Sequence, residues 1–210
     1  MNELDVNIAK SLLKINAIKL NPENHFTWAS GWYSPIYCDN RKVLSFPEAR
    51  EQVKKAFGQR VKELYPDVEV IAGVATGAIA HGVLVAEELD LPFVYVRSAA
   101  KKHGLENLVE GEIKEGQKVV VIEDLVSTGG SSLKAVDALK ERGCEVMGML
   151  AIFSYGFNVS VENFEKAGVK LDTLTDYNVL IEQAVEMSYV KSADIETLQE
   201  WRKNPADWKK

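Results

Sequence analysis

From residue 47 onward the chain alternates two patterns. Apolar residues three and four apart predict helices, and short unbroken apolar runs predict strands buried in a parallel sheet. Ala49, Val53, Ala56, Val61 and Leu64 mark a helix over 47–64. A strand follows over 70–74, an apolar helix over 78–89 and a strand over 92–96. The next strand covers 118–122, and a helix over 130–142 carries Leu133, Val136 and Leu139 on its inner face. Gly143 is placed to end that helix as its C′ residue. Strands over 146–153 and 169–174, a helix around 177–184 and a tail helix marked by Ile195, Leu198 and Trp201 complete the series. Before residue 47 the pattern changes. Ile8, Leu12 and Ile15 share one helical face, whereas residues 26–40 are rich in aromatics and turn formers, which predicts short strands and loops. Residues 98–117 break the rhythm with a long polar stretch, in which 109–113 has the character of a small hairpin. Polar stretches of that length are commonly lids or binding loops. Repeated strand–helix units imply right-handed crossovers, hence an α/β fold with a mostly parallel central sheet flanked by helices. A single domain over 1–210 is expected, with about 1–45 as a hood over the ligand edge and about 46–210 as the core and C-terminal helix.

Composition narrows the function classes. The 210 residues suffice for one α/β core, and 46% hydrophobic with 27% charged residues is ordinary for a water-soluble protein. The net charge of -6 argues against a general nucleic-acid binder, which needs a basic face to release phosphate counterions. Cys38 and Cys144 are far apart and form no C-x-x-C pair, so reduced thiols fit better than a disulfide or a metal site. The first residues carry acids and no cationic run, and no apolar run is long enough to span a bilayer. A cytoplasmic protein without nucleic-acid or membrane partners is expected.

The chemistry concentrates in residues 118–132, KVVVIEDLVSTGGSS. An apolar strand ends in two adjacent carboxylates, Glu123 and Asp124. Leu125 and Val126 follow, then Ser127, Thr128, Gly129, Gly130 and Ser131, and then a helix begins. Loops at the carboxyl ends of parallel strands bind ligands. Glycines let backbone N–H groups approach a phosphate, hydroxyls add donors, and a helix start adds its positive dipole end. Carboxylates repel phosphate, so they must grip something else. Vicinal sugar hydroxyls suit them as O–H donors. One loop for a phosphate and a diol describes a ribose-5-phosphate site. An ordinary solvated acidic turn is the alternative, and it explains the acids but not the acids, hydroxyls and glycines together. The chain has no G-x-x-x-x-G-K-[ST] and no G-x-G-x-x-G after a strand, which argues against a Walker-type NTPase and a dinucleotide fold.

Residues 123–131 resemble the phosphoribosyl-diphosphate (PRPP) signature of the type I phosphoribosyltransferase family. Further stretches, FTWASG at 26–31, YSPIY at 33–37, DNR at 39–41, YVRS at 95–98, KKHG at 101–104 and AIFSY at 151–155, are similar to the branch of that family that acts on orotate. The resemblance implies the type I fold with a small N-terminal flap that sets base specificity. It implies transfer of a 5-phosphoribosyl group from PRPP to orotate, giving orotidine 5′-monophosphate and pyrophosphate in pyrimidine biosynthesis. It implies Mg²⁺ carried mainly by PRPP, no dedicated protein metal site, and a homodimer with shared active sites. Lys101 and Asp124 would be catalytic. Arg97, Lys101 and His103 would bind pyrophosphate oxygens, acting in the neighbouring subunit's site. Glu123 and Asp124 would hold the ribose hydroxyls, and residues 127–131 the 5′-phosphate.

Residues 74–78 make a second turn between a strand and a helix, and Thr76 and Gly77 would offer backbone donors to pyrophosphate; an ordinary βα turn is the alternative. Arg97, Lys101, Lys102 and His103 form a basic cluster in an acidic chain, with Lys102 read as a solvent charge. His25 and His81 read as surface or hydrogen-bonded histidines rather than catalysts. Trp28, Trp32 and Tyr37 either line the base pocket or simply pack. Many relatives carry a lysine before the Ser-Gly of the flap and an arginine near the end of the late strand. Here Ala29 and residues 153–155 (FSY) offer neither. Backbone amides of the flap and Ser127 are therefore expected to hold the orotate carboxylate. Two rivals remain at this level: an enzyme of the same fold acting on a purine base, and a regulator that senses PRPP without catalysis.

Overall fold

The computed structural model describes residues 2–99 and 108–209. The first helix, α1 (Glu3–Lys14), is capped by the Asn2 side chain and buries Ile8, Ala9, Leu12 and Leu13. Four short strands follow: β1 (Ile18–Leu20), β2 (Phe26–Thr27), β3 (Tyr33–Ser34) and β4 (Ile36–Cys38). They form two antiparallel pairs, β1 with β4 and β2 with β3. A 3-10 turn, Asn40–Ser45, leads into α2 (Pro47–Leu64), whose first residue is a proline with no N–H to waste.

The core then alternates as the pattern predicts: β5 (Val70–Val74), α3 (Ile79–Leu89), β6 (Phe93–Val96), β7 (Val109–Glu110), β8 (Lys118–Val126), α4 (Gly130–Glu141), β9 (Glu145–Ser154), α5 (Asn158–Ala167), β10 (Leu171–Asp176), α6 (Tyr177–Glu186) and α7 (Ile195–Lys203). The sheet order is β10-β9-β8-β5-β6-β7. All its pairings are parallel except β6 with β7. Val119, Val120, Val121 and Ile122 are fully buried at its centre. Helix α1 packs on α6 and β10, so the N-terminal segment shares the main core. The chain leaves β5 toward β6 on one side and returns to β8 on the other. That reversal places the turn after β5 beside the loop after β8, and such switch points open a crevice at the carboxyl edge of the sheet.

Four local expectations change. β8 runs on to Val126, so Glu123 and Asp124 lie within the strand rather than past its end. Residues 109–113 form no hairpin of their own; Val109 and Glu110 pair with Val96 and Tyr95, so the hairpin is β6 with β7. The last strand sits two residues later than the apolar run suggests. Helix α5 was not expected at all. Its Val159 and Val161 are exposed, and only Ser160 and Phe164 are buried, so it shows no apolar stripe to read.

Candidate active site

At the switch point the two acidic side chains part ways. Glu123 is 5% exposed. It accepts a hydrogen bond from Ser132 Oγ at 2.9 Å and one from the Asp124 N–H at 3.0 Å. Burial, and then the charge of Asp124, push its carboxyl well above the usual glutamate range. Asp124 is half-buried, and its carboxylate faces the turn after β5. A Cβ built on Gly77 falls directly against that carboxylate, so any larger residue there would push the Asp124 side chain from this position.

Asp124 is also held from behind. Asn40, buried at the end of the hood, donates from Nδ2 to the Asp124 carbonyl at 2.6 Å. His81, on the first turn of α3, is hydrogen-bonded to the Asn40 backbone, and burial pushes its imidazole below the ordinary value. Its Nε2 is buried with no partner among the described residues. Neither Asn40 nor Ser132 was singled out by sequence; the DNR triplet was the one available signal for the first.

Two sets of backbone donors flank Asp124. On one side lies the loop after β8. Gly129 has φ of +83° and caps α4, and a Cβ there would meet the Phe164 ring at 2.8 Å. The Thr128 carbonyl accepts from Asn163 Nδ2 at 2.9 Å. Both Asn163 and Phe164 belong to α5, so the unexpected helix is the floor of this loop. The N–H groups of residues 128–132 find no acceptor among the described residues. They gather at the start of α4, a ready anion site. Ser127 and Thr128 are half-buried beside them, while Gly130 and Ser131 are open to solvent. On the other side, in the turn after β5, Ala75 donates to Val96 and Ala78 to Val74, which leaves the N–H groups of Thr76 and Gly77 without an acceptor among the described residues.

Arg97 follows β6, and its N–H donates to the Leu108 carbonyl at 2.8 Å, extending the β6–β7 pairing by one hydrogen bond. Its guanidinium pairs loosely with Glu110 at 3.4 Å. Arg97 and Ser131 line one cavity of about 460 Å³, with Lys134 and Asp137. Lys101, Lys102 and His103 lie outside the described residues.

The flap hairpin, β2 with β3, leans on the end of β9. Trp28 packs on Tyr155 with ring centroids 5.1 Å apart, and its Nε1 donates to the Ile36 carbonyl at 3.0 Å. In its turn, Trp28 N–H donates to Trp32 O at 2.9 Å and Gly31 N–H to Trp28 O at 2.8 Å. Trp32 N–H reaches Ser30 Oγ at 3.4 Å. The N–H groups of Ala29 and Ser30 have no acceptor among the described residues. His25 is exposed, 4.4 Å from Tyr33 between ring centroids. Tyr37 is exposed and meets the Phe26 ring at 5.7 Å.

Two anion cradles with a carboxylate between them, beside a separate aromatic flap, can be set against known proteins. Residues 41–188 match the family described as phosphoribosyl transferase domain. An orotate phosphoribosyltransferase of Porphyromonas gingivalis is 59% identical over 208 residues, covering 99% of each chain. The chain belongs to the orotate phosphoribosyltransferase family. The fold agrees: the crystal structure of orotate phosphoribosyltransferase from Aeropyrum pernix superimposes with a TM-score of 0.76 at 27% identity, covering 87% of this chain and 99% of that one. Adenine phosphoribosyltransferase from Leishmania donovani has a TM-score of 0.62 at 22% identity, covering 82% and 81%, a likeness of fold alone. Membership of the orotate branch sets aside the purine-base rival. Among the described residues, no helix is long and apolar enough to cross a membrane.

Proposed function

We propose that this protein transfers the 5-phosphoribosyl group of PRPP to orotate, yielding orotidine 5′-monophosphate and pyrophosphate, in the cytoplasm. The observation that carries the reading is the Asp124 carboxylate set between two clusters of backbone N–H groups that find no acceptor among the described residues. A substrate with phosphate at one end of a ribose and diphosphate at the other fits that order of groups. In the reaction the bond from C1′ to the diphosphate oxygen breaks and the bond from C1′ to orotate N1 forms, with the N1 proton lost. Positive charge builds on the ribose ring as the diphosphate leaves.

The residues divide the work. The N–H groups of 128–132, with the Ser127, Thr128 and Ser131 hydroxyls, hold the 5′-phosphate. Asp124 accepts the ribose hydroxyls and faces the developing ring charge. Glu123 already accepts two hydrogen bonds, so it contributes its remaining acceptor capacity and orients Asp124 through the 123–124 backbone. The N–H groups of Thr76 and Gly77 receive the diphosphate. Arg97, Lys101 and His103 neutralise the leaving group, lent across a homodimer interface in the neighbouring subunit's site. The flap N–H groups of Ala29 and Ser30, with Ser127, hold the orotate carboxylate.

Mg²⁺ fits this site as an ion that arrives with PRPP. Glu123 is turned inward to Ser132, whereas the Asp124 carboxylate faces the turn after β5 and would be the group to meet it. A hard cation of this kind keeps mainly water and substrate oxygens, and it supplies charge neutralisation on the diphosphate. The test is direct. The protein is incubated with PRPP, Mg²⁺ and orotate, and loss of orotate absorbance is followed with release of pyrophosphate. Turnover with orotate and none with adenine is expected. PRPP binding without turnover would instead make the protein a PRPP sensor.

A further inference from the structure

The flap and helix α7 both lie outside the matched family domain, at 26–34 on one side and 195–203 on the other. They meet each other in space. Trp201, fully buried, donates from Nε1 to the Tyr33 carbonyl in the flap at 3.1 Å. Its ring sits 5.6 Å from Trp28 of the flap and 5.7 Å from Tyr155 at the end of β9, both edge-on. Phe157 and Tyr177 close the cluster at 5.5 and 5.6 Å. The neighbouring Arg202 donates from Nε to the Tyr155 carbonyl at 2.8 Å and from Nη2 to the Gly156 carbonyl at 3.1 Å. Its Nη1 donates to Asn178 Oδ1 at 3.0 Å. The chain segment that ends β9 has no cation of its own, and here one arrives from the C-terminal helix to fix its backbone.

These contacts have a common direction. They tie the aromatic flap to the strand end it leans on, and they touch neither cradle of backbone donors. We infer that Trp201 and Arg202 are positioning residues for the base: α7 locks the flap against β9 and so sets the affinity for orotate, without acting on PRPP. This rests on the proposed transfer to orotate. The physical basis is preorganisation. A two-residue-per-strand hairpin has little stability alone, and a flap held in its binding geometry spends less entropy on capturing a base. The fork of Arg202 on two adjacent carbonyls fixes the path of residues 155 and 156 in a way a single-point donor does not.

The experiment compares wild type with Trp201→Phe and Arg202→Gln. Trp201→Phe keeps an aromatic ring and removes the N–H, leaving the Tyr33 carbonyl without its donor. Arg202 is half-buried at the surface, so Arg202→Gln carries the test should Trp201→Phe fail to fold. Steady-state KM is measured separately for orotate and PRPP, with kcat and the melting temperature. Each variant is expected to raise the orotate KM about tenfold while the PRPP KM stays within about twofold. Equal rises in both KM values would overturn the inference by showing a non-selective distortion of the site, and a fall in kcat with both KM values unchanged would overturn it by showing only loss of folded protein. An unchanged orotate KM would overturn it too. Absence of orotate turnover in the wild type would instead sink the proposed function, so the two failures are distinguishable.

Discussion

Asp124 and Gly77 form the tightest pairing in the site. The carboxylate occupies the space a Cβ at 77 would need, and Gly77 has no positive φ that demands glycine for other reasons. Gly77→Ala is therefore a steric wedge between the ribose acceptor and the diphosphate turn. It is expected to lower kcat/KM by about 10²-fold, because small misplacements of a positioned group are expensive. The melting temperature should move little, since Asp124 is half-buried and can swing away. Activity within twofold of wild type would show that Asp124 does not act from this position. Glu123 gives a prediction in pH. Its folded carboxyl titrates well above the ordinary value of 4.5, because it is buried beside another acid. The folded state thus holds the proton more tightly than the unfolded one. Its contribution to stability is present below about pH 4.5 and is lost as pH rises through the folded value. Glu123→Gln removes that titration and keeps the shape, and the Ser132 hydroxyl can turn to accept from the new amide. The variant should melt above wild type at pH 8, and the gap should close as pH falls toward 4. A constant gap across that range would mean that Glu123 carries no shifted proton.

Among the elements, those with one strong periodicity were legible and those defined by contact were not. β5 and α2 fall where the apolar pattern puts them, because a fully buried strand and a helix with one inner face write their geometry into residue spacing. The extension of β8 through Glu123 and Asp124 was hidden by the acids, which read as a loop. They stay in the strand because Ser132 and a backbone N–H satisfy Glu123, and because Leu125 and Val126 still pair with Phe153 and Ser154. The loop's glycines and hydroxyls were legible as a phosphate cradle, but its floor was not. Helix α5 alternates valines with polar residues over 158–161, and its value lies in two side chains, Asn163 and Phe164, that touch the loop. Asn163→Ala removes the donor to the Thr128 carbonyl and loosens the cradle without altering the flap. Its expected signature is the mirror of the α7 variants: the PRPP KM rises several-fold, about the value of one hydrogen bond, while the orotate KM holds. A shift confined to orotate would separate α5 from the phosphate.

For the whole molecule, the proposed mechanism draws its ribose acceptor and its leaving-group cations from different parts of the sequence. Asp124 lies in the central sheet, whereas Lys101 and His103 fall in the sequence between Arg97 and Leu108, outside the described residues. The loop after β8 has no cation between 123 and 133 and the turn after β5 none between 74 and 80, so the described cations at the site come from other segments: Arg97 and Lys134 line the cavity beside Ser131, and Arg41 lies within electrostatic reach of Asp124. In the proposed reaction Lys101 and His103 would add to this charge, from the same chain or from a second copy. Mixing Lys101→Ala with Asp124→Asn decides between them. Alone, each variant lacks one essential group in every site and should be nearly inactive. In a mixed dimer with loops lent across the interface, one site receives an intact Asp124 and an intact Lys101, and the other receives neither. Random exchange makes half the dimers mixed, so activity should recover to about a quarter of the wild-type value. If each loop serves its own chain, every site in the mixed dimer still lacks one group and no activity returns. The exchange is done by co-refolding or co-expression, with the mixed dimer isolated by two different tags. That isolated species should then show about half the wild-type rate if the sites are shared, and a background rate if they are not.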